Sequence, residues 1–200
     1  MEKRFVFRAF EERDIDFIFR CKNDVELNRM TVGTVGDFSY EDAVTWVHNC
    51  MKGDRPDLKF FAIGAKKESD KIIGWVSLSN IDTTNKSACF HSMVIADNRY
   101  KDGSAWIESH IFVLGYVFET LKLNRVYGTY LSDHVASETI TSVMFFVKEG
   151  VHRQSVFKNG KYNDVTFISL LSSEYFEHKE NGDYEYPAIF RRLMNSMKKK

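Results

Sequence analysis

Apolar and polar positions along this chain follow two periods, strand-like and helical, and switch between them many times. Phe5 to Ala9 reads as a short strand; Ile15, Phe17, Ile18 and Phe19 then read as a helix capped by Asp14 and ending near Asn23. Helical spacing resumes from about Val25 to Met30, and the glycine-punctuated stretch from Thr31 to Asp37 reads as a mobile loop. Ser39-Tyr40-Glu41-Asp42 supplies a serine cap and two acids to a third helix carrying Ala43, Val44, Trp46 and Val47. Lys59 to Ala65, Lys71 to Asn80 and Ala88 to Ile95 follow as strands, with Asp82 to Lys86 a polar turn, and together they read as an antiparallel meander.

From Ser104 to Leu121 the apolar residues Ile107, Ile111, Leu114, Phe118 and Leu121 fall on one face of a helix. Arg125 to Leu131 is a fifth strand and Val135 to Phe146 a helix. Lys148 to Phe157 and Asn163 to Leu171 form a hairpin around Asn159-Gly160. A polar break at Glu177 to Asp183 precedes an amphipathic helix with Pro187 near its start, Ile189, Leu193 and Met197 on one face, and a solvated end of three lysines. The order βααα-βββ-α-β-α-ββ predicts an α+β fold on a mixed sheet of six or seven strands.

Length and composition refine this picture. Two hundred residues, 44% hydrophobic and 14% aromatic, suit one compact unit with a substantial core. Lysine plus arginine and aspartate plus glutamate each number 28, so no global field favours nucleic acid or an anionic membrane, and a charged ligand must be met locally. Cys21, Cys50 and Cys89 have neither disulfide-framework nor zinc spacing and read as reduced thiols; no metal is expected. The N-terminal residues lack a signal-peptide core, and no run approaches the ~20 apolar residues of a membrane span, so a cytoplasmic protein is expected. The apolar faces and the C-terminal helix permit homodimerisation.

The strongest chemical lead is Asn98-Arg99-Tyr100-Lys101-Asp102-Gly103-Ser104-Ala105. A strand (Met93, Val94, Ile95), a turn with glycine at the helix entrance, and then free N–H groups at a helix N-terminus can cradle a pyrophosphate. The same glycine also serves a tight turn or the close packing of helix and strand, and both readings stand.

Four stretches together resemble the GNAT N-acetyltransferase superfamily, in particular its ribosomal-protein N-terminal acetyltransferase branch, over about residues 4 to 172. Val76 through Ile95 is similar to the family's third and fourth strands. Tyr100-Lys-Asp-Gly103-Ser-Ala105 resembles its acetyl-CoA pyrophosphate loop, with Tyr100 in place of a polar residue and Lys101 in place of a glycine. Leu123-Asn124-Arg125-Val126 resembles the entry to its fifth strand. The longest match runs from His134-Val-Ala136-Ser137 to Phe146, Lys148-Glu149-Gly150-Val151-x-Arg153, Asn159-Gly160-Lys161-Tyr162 and Asp164-Val165.

The resemblance implies a GNAT domain over 1–175, with 176–200 as a polar linker and amphipathic helix. It also implies central parallel strands, Ala88 to Ile95 and Arg125 to Leu131, that splay apart. Backbone groups of Met93, Val94 and Ile95 would pair with pantetheine, and N–H groups of Tyr100, Lys101, Asp102, Gly103, Ser104 and Ala105 would hold the pyrophosphate of acetyl-CoA, a co-substrate. His134 would lie near the CoA channel. Ser137 would lie near the CoA sulfur and protonate the departing thiolate, its alternative being a first-turn helix serine. The acceptor is a primary amine, on a protein N-terminus or a small molecule, in a pocket built by the first helices, the loop at Val32 to Asp37 and the hairpin at Phe157 to Tyr162. Arg29, Trp46, Trp75 and Tyr162 are candidates for its contacts.

Departures from the family pattern bear on catalysis. His134 replaces asparagine, Ser142-Val143-Met144-Phe145 replaces a run ending in glycine, and Val156 stands where some relatives carry a glutamate base. His91 is the candidate base, against the alternative of an ordinary strand histidine or a water relay. Glu149 reads as a structural hydrogen-bond acceptor. A catalytically weakened relative that binds CoA or acts as an interaction module is the alternative function.

Overall fold

The computed structural model describes residues 3–33 and 37–198. The loop expected at 31–37 thus falls partly on residues 34–36, outside the described residues. A seven-stranded sheet runs in the order β1-β2-β3-β4-β5-β7-β6, with β1 Phe5–Arg8, β2 Lys59–Ala65, β3 Lys71–Asp82, β4 Ser87–Ile95, β5 Arg125–Leu131, β6 Val147–Lys158 and β7 Lys161–Leu171. Every neighbouring pair is antiparallel except β4 and β5. The α+β architecture and the meander expected from sequence are what the chain forms.

Two cores lie on opposite faces. On one, α1 (Ile15–Asn23) and α3 (Tyr40–Lys52) bury Ile18, Cys21 and Val47 against Ala62, Ile72 and Trp75. On the other, α4 (Ser104–Gly115) and α5 (Val135–Val143) cover Ile63, Ile73, Val76, Ala88 and Val126. The helix α3 starts as its sequence dictates: the Ser39 side chain accepts the Asp42 N–H while the Asp42 carboxylate accepts that of Ser39. The β6–β7 hairpin turns at Asn159 (φ 53°) and Gly160 (φ 74°), two successive left-handed residues as a twist-matched two-residue turn requires.

Several expectations are corrected. Asp14 does not cap α1; its carboxylate is buried, accepts two hydrogen bonds from the Arg8 guanidinium at 2.7 and 2.8 Å, and takes the Glu11 N–H. The short α2 (Val25–Asn28) stops before Met30, and its cap is Asp24, which accepts the Leu27 N–H. The helix from Ser104 is α-helical only to Gly115 and closes in a wider π turn at Tyr116–Thr120. Its burial extends beyond the expected face to Glu108, Ser109 and His110, because strands β1 and β4 and the C-terminal helix pack on different sides of it, Glu108 accepting the Arg4 and Phe5 N–H groups.

The C-terminal region differs most. The polar break expected at Glu177 to Asp183 is helical as far as Glu180, within α6 (Ser172–Glu180). The last helix, α7 (Tyr186–Lys198), buries Ile189 and Leu193 in the same core as α4 and α5. Among the described residues no helix is long and apolar enough to cross a membrane.

Candidate active site

The strands β4 and β5 pair only at Ser87–Arg125, Ala88–Val126 and Cys89–Tyr127, and then diverge. A bulge explains the parting. Between Leu78–Phe90 and Ser77–Ser92 the register of β4 on β3 skips one residue, so His91 has no partner there, and a bulged strand bends. Past the bulge β4 stays paired to β3 as far as Ile95–Gly74, while β5 stays paired to β7 as far as Leu131–Val165. The edge of β4 from His91 to Ile95 that faces β5 is therefore unpaired, and its alternating donors and acceptors can take an added strand-like ligand. Met93, Val94 and Ile95 all lie on this edge.

The turn and helix entrance expected to cradle a pyrophosphate form at Gly103 and Ser104, but they are covered. Gly103 takes φ 91°, a left-handed conformation that turns the chain into α4 and that a residue with a Cβ adopts only with strain. A Cβ built there would meet the Leu193 side chain of α7 at 3.1 Å. Ser104 and Ala105 are 1% and 0% exposed. Asp102 already supplies an anion to the helix entrance: its Oδ1 accepts the Ser104 N–H at 3.0 Å and the Ser104 hydroxyl, and its Oδ2 accepts from Arg4 at 2.8 Å. The Tyr100 hydroxyl donates to Glu68 at 2.6 Å, away from the cradle, and Lys101 is exposed.

Cation and aromatic contacts hold α7 in place. The Arg192 guanidinium donates to the Val143 carbonyl at 3.3 Å and the Asp183 carbonyl at 2.6 Å, and lies 4.5 Å from the centre of the Phe145 ring. Phe145 in turn stacks on His178 at 3.5 Å. Phe145 stands at φ 67°, in the place where the family pattern has glycine, and this left-handed residue ends α5 at Val143 instead of Phe146. The strain of a bulky residue there is offset by the stack that pins α6 and α7.

His134 caps α5: its Nδ1 accepts the Ser137 N–H at 3.1 Å, as the amide of the asparagine it replaces would. Burial, reinforced by the charge of Arg29, favours its neutral ring. Ser137 lies in the first turn of α5, half-buried, and its carbonyl accepts the Thr141 hydroxyl. His91, at the bulge, is also driven toward the neutral form, first by desolvation and then by the Lys22 ammonium. A neutral imidazole beside the parted strands can accept a proton. Glu149 cannot: two hydrogen bonds from Arg125 and one from Ser169 hold its carboxyl at about 2, so it is the structural acceptor expected. Burial pushes the Cys21 and Cys50 thiols up to about 12, which leaves them without thiolate character.

Lys22 is a site residue that the sequence reading missed. Its ammonium lies 5.1 Å from the Trp46 ring and 5.4 Å from the Trp75 ring, and burial lowers its pKa. The signal was present, because Lys22 falls four residues after Ile18 on the apolar face of α1. Trp46 and Trp75 are thus tied into the core under α1 and α3. Lys158 was missed as well: its ammonium donates to the carbonyls of Asn28 (2.9 Å), Thr31 (2.7 Å) and Gly33 (3.0 Å) and to the Thr31 hydroxyl (3.0 Å). It closes a cavity of about 320 Å³ between α2 and the hairpin, lined among others by Arg29, Val32 and Phe157. Tyr162 lies outside it and is 66% exposed.

Comparison with known proteins bears on this geometry. The family model described as an acetyltransferase (GNAT) domain matches residues 4–144. The spermidine N(1)-acetyltransferase of Vibrio cholerae serotype O1 is 28% identical over 187 residues, covering 90% of this chain and all of that protein. YdaF of Bacillus subtilis, provisionally named a ribosomal N-acetyltransferase, is also 28% identical but over 105 residues, 52% of this chain and 56% of its own length. The ribosomal branch suggested by the sequence motifs is therefore not singled out. A crystal structure of the V. cholerae spermidine N-acetyltransferase with CoA and spermine superposes with a TM-score of 0.77 at 23% identity, over 88% of this chain and 99% of that one, which establishes the shared fold. With a family model that spans well over half of its length, the chain belongs to the GNAT acetyltransferases.

Proposed function

We propose that the protein transfers an acetyl group from acetyl-CoA to a primary amine by direct attack on the thioester. The unpaired edge of β4 beyond Cys89 carries this reading, because it offers pantetheine a place to add as a strand between β4 and β5. The amine nitrogen forms the new C–N bond, the C–S bond breaks, and the nitrogen sheds two protons: one leaves the ammonium before attack and goes to a base, and one leaves the tetrahedral adduct and is relayed to the departing thiolate. In this reading His91 takes the first and the Ser137 hydroxyl relays the second, with the N–H groups opening α4 holding the pyrophosphate. A small-molecule acceptor is favoured over a protein N-terminus, since the relative matched over its whole length is named for spermidine.

The packing of Leu193 on Gly103 supports a second reading, a weakened relative in which α7 keeps the cofactor out or admits it only on moving aside. One calorimetric series separates the two. Acetyl-CoA is titrated into the wild-type protein and into Arg192→Ala, which loses the hold of α7 on α5, and free thiol is followed with a panel of amines. Binding with turnover supports the transferase, and Arg192→Ala should then bind acetyl-CoA more tightly, by on the order of tenfold for the loss of one charge-assisted contact. Binding without turnover of any amine favours the weakened relative. Failure of both proteins to bind rejects both readings.

A further inference from the structure

We propose that the amine acceptor carries an anionic group, a carboxylate or a phosphate, which docks against Arg29 in the cavity between α2 and the β6–β7 hairpin. The inference rests on the transferase reading and goes beyond it by naming the class of acceptor.

The cavity lies where an acceptor would approach. It opens between α2, Val32–Gly33 and Val156–Asn159. The hairpin on its wall reaches the α5 entrance, where the Lys161 ammonium lies 3.5 Å from the carboxylate of Asp133, the residue before His134. His134 stands three residues past the end of β5, whose parting from β4 makes the reaction centre in the transferase reading. The cavity is therefore beside the mouth of the splay, on the side of the hairpin.

Its charge is one-sided. Among the described residues the lining includes two cations, Arg29 and Lys158, and no carboxylate. Lys158 is held entirely by neutral oxygens, three carbonyls and a hydroxyl, so its charge is solvated but not cancelled. Arg29 has only a loose partner: its Nε stands 3.5 Å from Glu26, with both side chains more than half exposed, a pair weak enough for a ligand anion to displace. Lys22, the third cation on this face, rests on tryptophan rings, and among the described residues it forms no ion pair. Two weakly neutralised cations in the lining attract an anion and repel an acceptor with further ammonium groups. The planar guanidinium of Arg29 suits a carboxylate or a phosphate equally, through paired N–H donors.

A kinetic panel tests the proposal. Each ω-amino carboxylate and aminoalkyl phosphate of increasing chain length is compared with the diamine of equal length, and with spermidine, by release of free thiol from acetyl-CoA. The expected result is a kcat/KM for the anionic amines greater by on the order of tenfold, the scale of one charge-assisted hydrogen bond. Arg29→Gln should erase that margin, mainly by raising KM for the anionic amines and lowering it for the diamines as a repelling charge is lost; Arg29→Glu should reverse the preference. The carboxylate and phosphate arms show which anion is used. Spermidine or a diamine turned over as well as its anionic counterpart would overturn the inference while leaving the transferase intact. If acetyl-CoA neither binds nor reacts, the transferase reading fails instead, and the cavity is then judged by thermal shift. An ω-amino carboxylate that raises the melting temperature of the wild type but not of Arg29→Gln upholds the anion site, and equal shifts or none sink it.

Discussion

The two faces of the sheet meet the same gap between β4 and β5 with opposite chemistry. On the α4–α5 face the gap is approached through apolar packing: Ile189 and Leu193 of α7 join Ala105, Ile140 and Val143 in one buried cluster, and the histidine buried there, His110, is neutral. On the α1–α3 face the core is smaller and admits charge, with Arg8 locked to Asp14 and Lys22 laid over Trp46 and Trp75. The difference teaches how one opening in a sheet can separate two ligands. On the proposed function, a long anionic cofactor would have to displace or slip past an apolar cover, whereas a small acceptor would enter on the face that carries fixed positive charge. Each side can be broken separately.

The largest effect is expected at the Arg8–Asp14 pair. Asp14 is 1% exposed and both of its oxygens accept from Arg8. Arg8→Met strands a buried carboxylate with the Glu11 N–H as its remaining donor, and should lower stability by about 3–5 kcal/mol in urea unfolding. A double variant, Arg8→Met with Asp14→Leu, should recover most of that loss, because no charge is then left unpaired. If the single variant unfolds at the wild-type midpoint, charge is not what anchors α1 on this face.

On the opposite face the expected sensitivity is to acid. His110 is 1% exposed, with Nδ1 at 2.8 Å from the Trp106 carbonyl, and desolvation lowers its pKa from 6.5 to about 4. The native state thus refuses a proton that the unfolded chain accepts below pH 6.5. The stability tied to the neutral ring is complete above pH 6.5 and is lost as the pH falls toward 4, by about 3 kcal/mol in all. Compared with His110→Leu at matched pH, the wild type should lose its relative stability across that window. A constant difference between the two proteins would show that the ring takes up its proton without cost.

Much of this arrangement is legible in the sequence where the cause is local. The strands, the Ser39 box and the Asn159-Gly160 turn follow from residues adjacent to one another, and the parted strands are implied by the family resemblance. What escapes the sequence depends on distant partners. Asp14 has the form of a cap, yet a strand arginine takes its carboxylate. Phe145 adopts a left-handed conformation only because His178 and Arg192 clasp its ring from the C-terminal helices. Periodicity shows that Ile189 and Leu193 need cover without showing that Gly103 supplies it. The charge of the acceptor cavity is equally hidden, since Arg29 and Lys158 reach it from opposite ends of the chain.

The finest test of the comparison is the proton itself. If His91 takes it from the acceptor, His91→Ala should lower kcat by about a hundredfold. The wild-type acid limb of kcat/KM should also lie below the ordinary histidine range, because desolvation and then the Lys22 charge disfavour the imidazolium. Lys22→Met removes the second of these influences, so the ring gains basicity and the acid limb moves to higher pH, toward 6.5. The rate on the plateau should change far less than in His91→Ala, since Lys22 acts through the ring and not on the reacting atoms. A limb that stays in place in Lys22→Met while His91→Ala keeps full activity would remove His91 from the reaction and assign the proton to water. The acceptor face would then select its amine by charge while contributing no base.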